Sequence, residues 1–179
     1  MLNQNKHLKI NMDVKNHKIL LSLGSNLGKE ESTIFQALDL LITNNEITID
    51  NISSIYKTEP LGLSNQKWYT NIAASGTTTL SEIELLYFCK SIEYLLGRKS
   101  RTRWSEREID IDILFYGNSV FSSKYLTIPH KELHLRNFVL EPLAEIEPDF
   151  VHPLISKSII SILENTPDNL LVVKSQTNT

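Results

Sequence analysis

Between Glu108 and Tyr116, Ile109, Ile111, Ile113 and Phe115 alternate with Asp110, Asp112 and Leu114. A period of two belongs to a strand, so the isoleucines face a core and the two aspartates share the opposite face, about 7 Å apart. Such a strand needs a sheet on its edge and an apolar layer beneath it. The rest of the chain has to supply both.

Ile19-Leu20-Leu21-Ser22-Leu23 is a short apolar run that stops at Gly24-Ser25-Asn26-Leu27-Gly28, as a buried strand entering a turn does. A helix is expected over Glu30 to Thr43, with acidic residues in its first turn and Ile34, Phe35, Leu38, Leu41 and Ile42 as its apolar stripe. Glu46 to Tyr56 and Lys67 to Thr79 alternate as strands around a loop from Lys57 to Gln66. Leu80 to Leu96 reads as a second helix, with Ile83, Leu86, Tyr87, Ile92 and Leu95 near helical spacing, Ser81 as N-cap and Gly97 as a left-handed cap. Beyond the Asp110 strand, Val120 to Ile128 reads as extended, Arg136 to Ile146 as a helix broken at Pro142, and Ser156 to Leu163 as a short helix. This order predicts an α+β fold, a ferredoxin-like split βαβ sandwich. Its central, mainly antiparallel sheet has helices on both sides, and the last third of the chain is added outside it.

The bulk properties narrow the function. With 179 residues and 41% apolar composition, a single domain over 18–179 is expected, preceded by a flexible tail over 1–17 that is rich in Asn, Lys and His. That tail lacks the apolar middle of a secretory signal, and no window is apolar for the length of a membrane span. Cys89 is the only cysteine, so no internal disulfide can form, and a reducing, cytoplasmic setting is expected. A net charge of −3 argues against a whole-surface attraction to nucleic acid. The expected partners are small molecules, and the expected state is a monomer.

Charge is nevertheless segregated locally. Arg98, Lys99, Arg101, Arg103 and Arg107, against the single acid Glu106, run directly into the aspartate pair. Magnesium is commonly held by one or two carboxylates and substrate phosphates, while arginine forks grip the remaining phosphate oxygens. Together the two segments suit a triphosphate with bound magnesium. Alone, the aspartates would sooner suit the solvated face of a strand, and the basic loop a solvated segment or an RNA contact. Trp104 would pack over the site or into the core, and His130 and Arg136 would reach phosphates if their segment returns to the strand. Tyr69 and Asn71 share a strand face and offer one flat ring and one amide, a pair suited to a planar heterocycle. A Walker-type phosphate loop is excluded at residues 23–30, because Leu23 stands where that motif needs Gly and Glu30 follows Lys29.

Arg103-Trp104, Arg107 and Asp110-Ile111-Asp112-Ile113-Leu114 resemble the signature of the 6-hydroxymethyl-7,8-dihydropterin pyrophosphokinase family. Further blocks resemble it in order from Lys18 to Leu163: Gly24 to Gly28, Tyr56 with Thr58 to Gly62, Tyr69 with Asn71, Ile128-Pro129-His130, and Glu147-Pro148-Asp149 with His152-Pro153. The resemblance implies pyrophosphoryl transfer from ATP to the pterin hydroxymethyl oxygen, with attack at the β-phosphorus and release of AMP. It implies two magnesium ions on Asp110 and Asp112, and Arg98 and Arg107 as catalytic cations. Glu93, Arg98, Trp104, Arg107, Ile113, His130 and Arg136 would then lie around ATP. The pterin would stack between Tyr69 and Phe138, with Asn71 hydrogen-bonding it and Thr58, Pro60 and Leu61 forming walls. The chain departs from the pattern at Ser105-Glu106, where Gly-Pro is usual, at Lys90, where glutamine is common, and at Lys131, where an aromatic hydroxyl often follows the histidine. Rival readings are an RNA-binding module on the same sheet and a kinase for a small alcohol that releases ADP.

Overall fold

The computed structural model describes residues 15–60, 67–101 and 105–175. The first strand, β1 (His17–Ser25), begins one residue inside the expected tail, since the His17 ring stacks on Tyr116 at 4.6 Å and Lys18 reaches Glu147 at 2.7 Å. Residues 1–14 of that tail lie outside the described ones. Helix α1 (Glu30–Ile42), strands β2 (Ile47–Ile52), β3 (Tyr56–Thr58) and β4 (Tyr69–Thr78), and helix α2 (Glu82–Leu95) follow. Then come β5 (Asp110–Tyr116), a small hairpin of β6 (Phe121–Ser122) and β7 (Thr127–Ile128), and a 3-10 turn at Leu133–Leu135. Helices α3 (Asn137–Ile146) and α4 (Ile159–Leu163) and strand β8 (Val172–Lys174) complete the order. Among the described residues no helix is long and apolar enough to cross a membrane.

The sheet runs β5-β1-β4-β3-β8, with β2 also on β4, and every pair is antiparallel. β1 and β2 therefore run parallel with β4 between them, and β4 and β5 run parallel with β1 between them. This is the split βαβ pattern expected from the element order. The caps expected for α2 are present: Ser81 and Glu84 form a reciprocal capping box, and Gly97 has φ of 86°.

Two apolar layers sandwich the sheet. α1 and α2 cover the face that carries Leu21, Leu23, Ile72, Ile111 and Ile113, whereas α3 and α4 cover the face that carries Leu20, Ala73 and Leu114. The alternation along β5 does not persist to its end. Leu20 pairs with Phe115 and Leu21 with Ile113, so Leu114 is an extra, bulged residue. The bulge flips the parity, sending Phe115 to the α3 side and Tyr116 to the isoleucine side.

Other expectations need correction. Residues 46–56 are not one strand: at the break, Ser53 exchanges bonds with Ala73 through its backbone and its hydroxyl, and β3 then takes in Lys57 and Thr58 from the expected loop. α3 is not broken at Pro142, whose ring is buried within the helix at the cost of one backbone donor. Phe35, Ile42, Tyr87 and Leu95, expected on apolar stripes, are exposed, while Ala37 and Leu85 are buried in their helices.

Gly76 sits in β4 where a Cβ would overlap the Thr48 carbonyl of the paired strand. Gly76→Ala should destabilise the fold by roughly 1–3 kcal/mol, read as a lower urea midpoint at unchanged slope.

Candidate active site

The α3–α4 layer covers only part of its sheet face, and the polar residues occupy the rest. Strand register lines them up: Gly24 of β1 lies opposite Asp110 of β5 on one side and Asn71 of β4 on the other, and Asn71 lies opposite Tyr56 of β3. One row therefore reads Asp110, Gly24, Asn71, Tyr56, and the next carries Asp112 and Ser22. Two strand spacings put the aspartates about 10 Å from the Asn71 amide. The glycine between them is required for packing, because a Cβ there would lie 2.5 Å from Asn71 Oδ1.

On the aspartate side, the Arg98 Nη1 donates to Asp110 Oδ1 at 2.5 Å, Arg107 pairs with the other Asp110 oxygen, and Lys90 Nζ lies 4.0 Å away. Burial would raise the Asp110 carboxyl, but Arg98 and Arg107 outweigh it and hold the group below the usual carboxylate range. Asp112 behaves oppositely. Burial, with the charge of Asp110 beside it, pushes its carboxyl up to about 6, and it accepts no hydrogen bond among the described residues.

Glu93 holds this corner together. Its carboxylate, 3% exposed, accepts from the Ile111 backbone N–H at 2.8 Å, from Lys90 Nζ at 2.7 Å and from Arg98 Nη1 at 2.6 Å. Burial still pushes its pKa up. The peptide it grips lies between the two aspartates, on the edge of β5 that pairs with no strand of the main sheet. A cleft of about 360 Å³ opens alongside, lined by Lys90, Glu93, Tyr94, Arg107 and residues 98–101. Lys90, a departure from the family pattern, thus stands among the site cations.

The basic loop is tethered at its far end by residues that the sequence reading did not single out. Asn26, fully buried, donates its backbone N–H to the Arg107 carbonyl at 3.1 Å and accepts the Arg107 N–H on Oδ1 at 2.8 Å. Arg101 forks onto Glu108 at 2.5 and 2.8 Å, and that hydrogen bonding holds the Glu108 carboxyl near 2. A polar residue closing a glycine-rich turn was the available signal for Asn26; none in the local sequence marks Glu108 as the partner of Arg101.

His130 returns to the aspartate strand as expected, its backbone N–H donating to Leu114 O at 2.9 Å. Burial, then Arg136, lowers its pKa to about 4, so at neutral pH it is an uncharged donor. Its Nδ1 accepts from the Glu132 N–H at 3.4 Å, which leaves Nε2 to carry the proton. Arg136 pairs with Glu132 and lies 5.5 Å from the Phe138 ring centroid. Lys131 also leans on Glu132, at 4.0 Å. Ile113 commits its side chain to the core, so only its backbone remains for a ligand.

On the β4 side of Gly24, Asn71 Nδ2 donates to Thr58 Oγ1 at 2.8 Å, and both residues are buried. The Tyr69 hydroxyl, its pKa raised by burial, reaches the Ser105 carbonyl at 3.5 Å and so ties this strand to the basic loop. Pro60 is half-buried beyond β3. Leu61 and Trp104 lie outside the described residues. Asn26→Ala would leave the Arg107 N–H without its acceptor, and exchange of that amide should accelerate about tenfold in hydrogen-exchange measurements.

A family model described as 7,8-dihydro-6-hydroxymethylpterin-pyrophosphokinase matches residues 20–148. A 2-amino-4-hydroxy-6-hydroxymethyldihydropteridine pyrophosphokinase of Aquifex aeolicus is 39% identical over 153 residues, 86% of this chain and 92% of that protein. Its counterpart in Haemophilus influenzae is 38% identical over 152 residues, 85% of this chain and 94% of that protein. The crystal structure of a Plasmodium falciparum HPPK-DHPS with pteroate shares the fold with a TM-score of 0.69 at 15% identity, over 84% of this chain and 44% of that one. The sheet, the aspartate strand and these matches agree, and the chain belongs to the 7,8-dihydro-6-hydroxymethylpterin pyrophosphokinase family.

Proposed function

We propose that Asp110 and Asp112 hold magnesium, and that Arg98 and Arg107 neutralise phosphate charge, while this chain passes the pyrophosphoryl group of ATP to 6-hydroxymethyl-7,8-dihydropterin. The chain is a transferase of folate synthesis that uses ATP as co-substrate. The observation that carries the residue assignment is the row Asp110, Gly24, Asn71, which sets a carboxylate pair and a heterocycle-binding amide on one sheet face with only a glycine between them.

The donor set fits a hard divalent ion. Asp112 is a half-buried carboxylate with no hydrogen-bond donor among the described residues, and Asp110 presents oxygens beside it. Among the described residues no cluster of three or more His, Cys, Asp or Glu could hold a metal unaided, so phosphate oxygens would complete the shell, as they commonly do for magnesium. When bound, two such ions would supply charge neutralisation at the phosphates.

The chain's own groups do the rest. Arg98 and Arg107 exchange part of their contact with Asp110 for phosphate oxygens and stabilise charge as the bond between the β-phosphorus and the AMP oxygen breaks. His130 donates its Nε2–H as a neutral group. Asn71 and Thr58 orient the pterin against Tyr69 and Phe138, so that its hydroxymethyl oxygen faces the β-phosphorus in line with the leaving AMP. Trp104, Glu93 and the Ile113 backbone complete the nucleotide side, and Pro60 and Leu61 the pterin side. We further propose one domain over 18–179, acting as a cytoplasmic monomer.

Incubation with ATP, magnesium and the hydroxymethyl-dihydropterin should yield AMP and the pterin diphosphate in equal amounts, whereas ADP would establish ordinary phosphorylation and sink this reading. Asp112→Asn should lower kcat by at least about a hundredfold while leaving the fold intact, the scale of removing one group that stabilises transition-state charge. Gly24→Ala should push the Asn71 amide off Thr58 and raise KM for the pterin roughly tenfold at unchanged KM for ATP.

A further inference from the structure

The family match ends at residue 148, yet the chain continues as an ordered tail that returns to the site. Two of its contacts land on elements that carry the pterin-side residues. The first is at the start of α3. Its N-cap residue, Arg136, makes no side-chain capping bond, so the first amides of the helix need an acceptor from elsewhere. Asp168 provides it: Oδ2 accepts the Asn137 N–H at 2.7 Å, and the Asp168 carbonyl accepts Asn137 Nδ2 at 2.7 Å. A carboxylate at a helix N-terminus is also favoured by the helix dipole. The residue after Asn137 is Phe138.

The second contact is β8. It pairs with β3 so that Val172 lies opposite Thr58, and Glu59, which leads into the loop bearing Pro60, exchanges bonds with Leu171. The far end is fixed as well, since Lys174 Nζ reaches Glu145 near the end of α3 at 3.0 Å, and Glu145 also accepts from the Tyr56 hydroxyl at 2.8 Å. The tail therefore touches α3 near both of its ends and pairs along β3.

We infer that the segment Asp168–Lys174 is a positioning strap for the pterin pocket: Asp168 caps α3 and sets Phe138, while β8 braces β3 and sets Thr58. Neither part touches the substrate. The inference rests on the proposed pterin subsite, and it assigns a role to a part of the chain beyond the family match. Most of the ATP side is built from α2, β5 and the basic loop, none of which the strap touches, and Arg136, which precedes Asn137, is held by its own pair with Glu132, so the strap acts mainly on the pterin.

The test uses the full chain with Asp168→Ala, with Asp168→Asn, which keeps a carbonyl acceptor for the Asn137 N–H, and with Val173→Pro, which removes a backbone donor from the middle of β8. Asp168→Ala should raise KM for the pterin about tenfold, the scale of one lost charge-assisted hydrogen bond, with KM for ATP within about twofold. Asp168→Asn should fall between the two, and Val173→Pro should show the same split between substrates. Without ligand, Asp168→Ala should speed amide exchange at Asn137 and Phe138. A KM for the pterin unchanged in both Asp168→Ala and Val173→Pro, or one that climbs together with KM for ATP, would overturn the inference. A wild-type chain that converts no pterin refutes the proposed function instead; exchange at Asn137 then still decides the strap, and unaltered protection in Asp168→Ala rejects it.

Discussion

A carboxylate taken out of water must find positive charge and hydrogen-bond donors close by, and Glu93 meets that demand with one helix, one strand edge and one arginine at once. Its grip on the Ile111 peptide is what makes the spacing of Asp110 and Asp112 more than a consequence of strand pleat. A free strand edge twists and frays, whereas an edge held at the peptide between the two aspartates has its local geometry set. The same carboxylate turns Arg98 toward Asp110. The site cations, the helix that delivers Lys90 and the aspartate strand thus share one anchor, and disturbing any one of them disturbs the others.

Much of this was legible in the residues, and what was not has identifiable causes. The aspartate strand could be read because period two survives over Ile109 to Ile113, and the element order pointed to the split βαβ sheet because each long element carried its own pattern. Phe115 departs from the alternation because a bulge changes parity without leaving a mark in the local sequence. β2 and β3 separate because the Ser53 hydroxyl takes over a backbone bond and lets one strand become two. β8 escaped because three residues carry too little period to separate a strand from a loop. Asn26 and Glu108 matter through partners distant in the chain or specified only by geometry, and periodicity reports neither.

The resemblance assigned residues to ligands, and the geometry altered the meaning of some of them. His130 is uncharged at neutral pH because it is buried beside Arg136. Glu93 lines the cleft beside β5, but its carboxylate is already engaged by three donors. Lys90 stands close enough to Asp110 to belong to the charge balance of the site, although its residue type is the departure. Across the sheet, the sharpest requirement falls on a residue with no side chain: Gly24 of β1 leaves room for the Asn71 amide on one flanking strand, opposite Asp110 on the other.

Counted as charges, the described groups around Asp110 nearly cancel: Lys90, Arg98 and Arg107 stand against Glu93, Asp110 and Asp112, Arg101 and Arg136 are each paired with a glutamate, and Lys99 adds one further cation to the cleft lining. A nucleoside triphosphate accompanied by two divalent ions is electrically neutral as well. The arrival of such a complex would be a swap of partners between two nearly neutral bodies, and it would need no long-range pull from an excess of surface charge. Dissolved salt has little to screen in such an exchange. The acidic balance of the whole protein is therefore no handicap to an enzyme whose co-substrate is a polyanion.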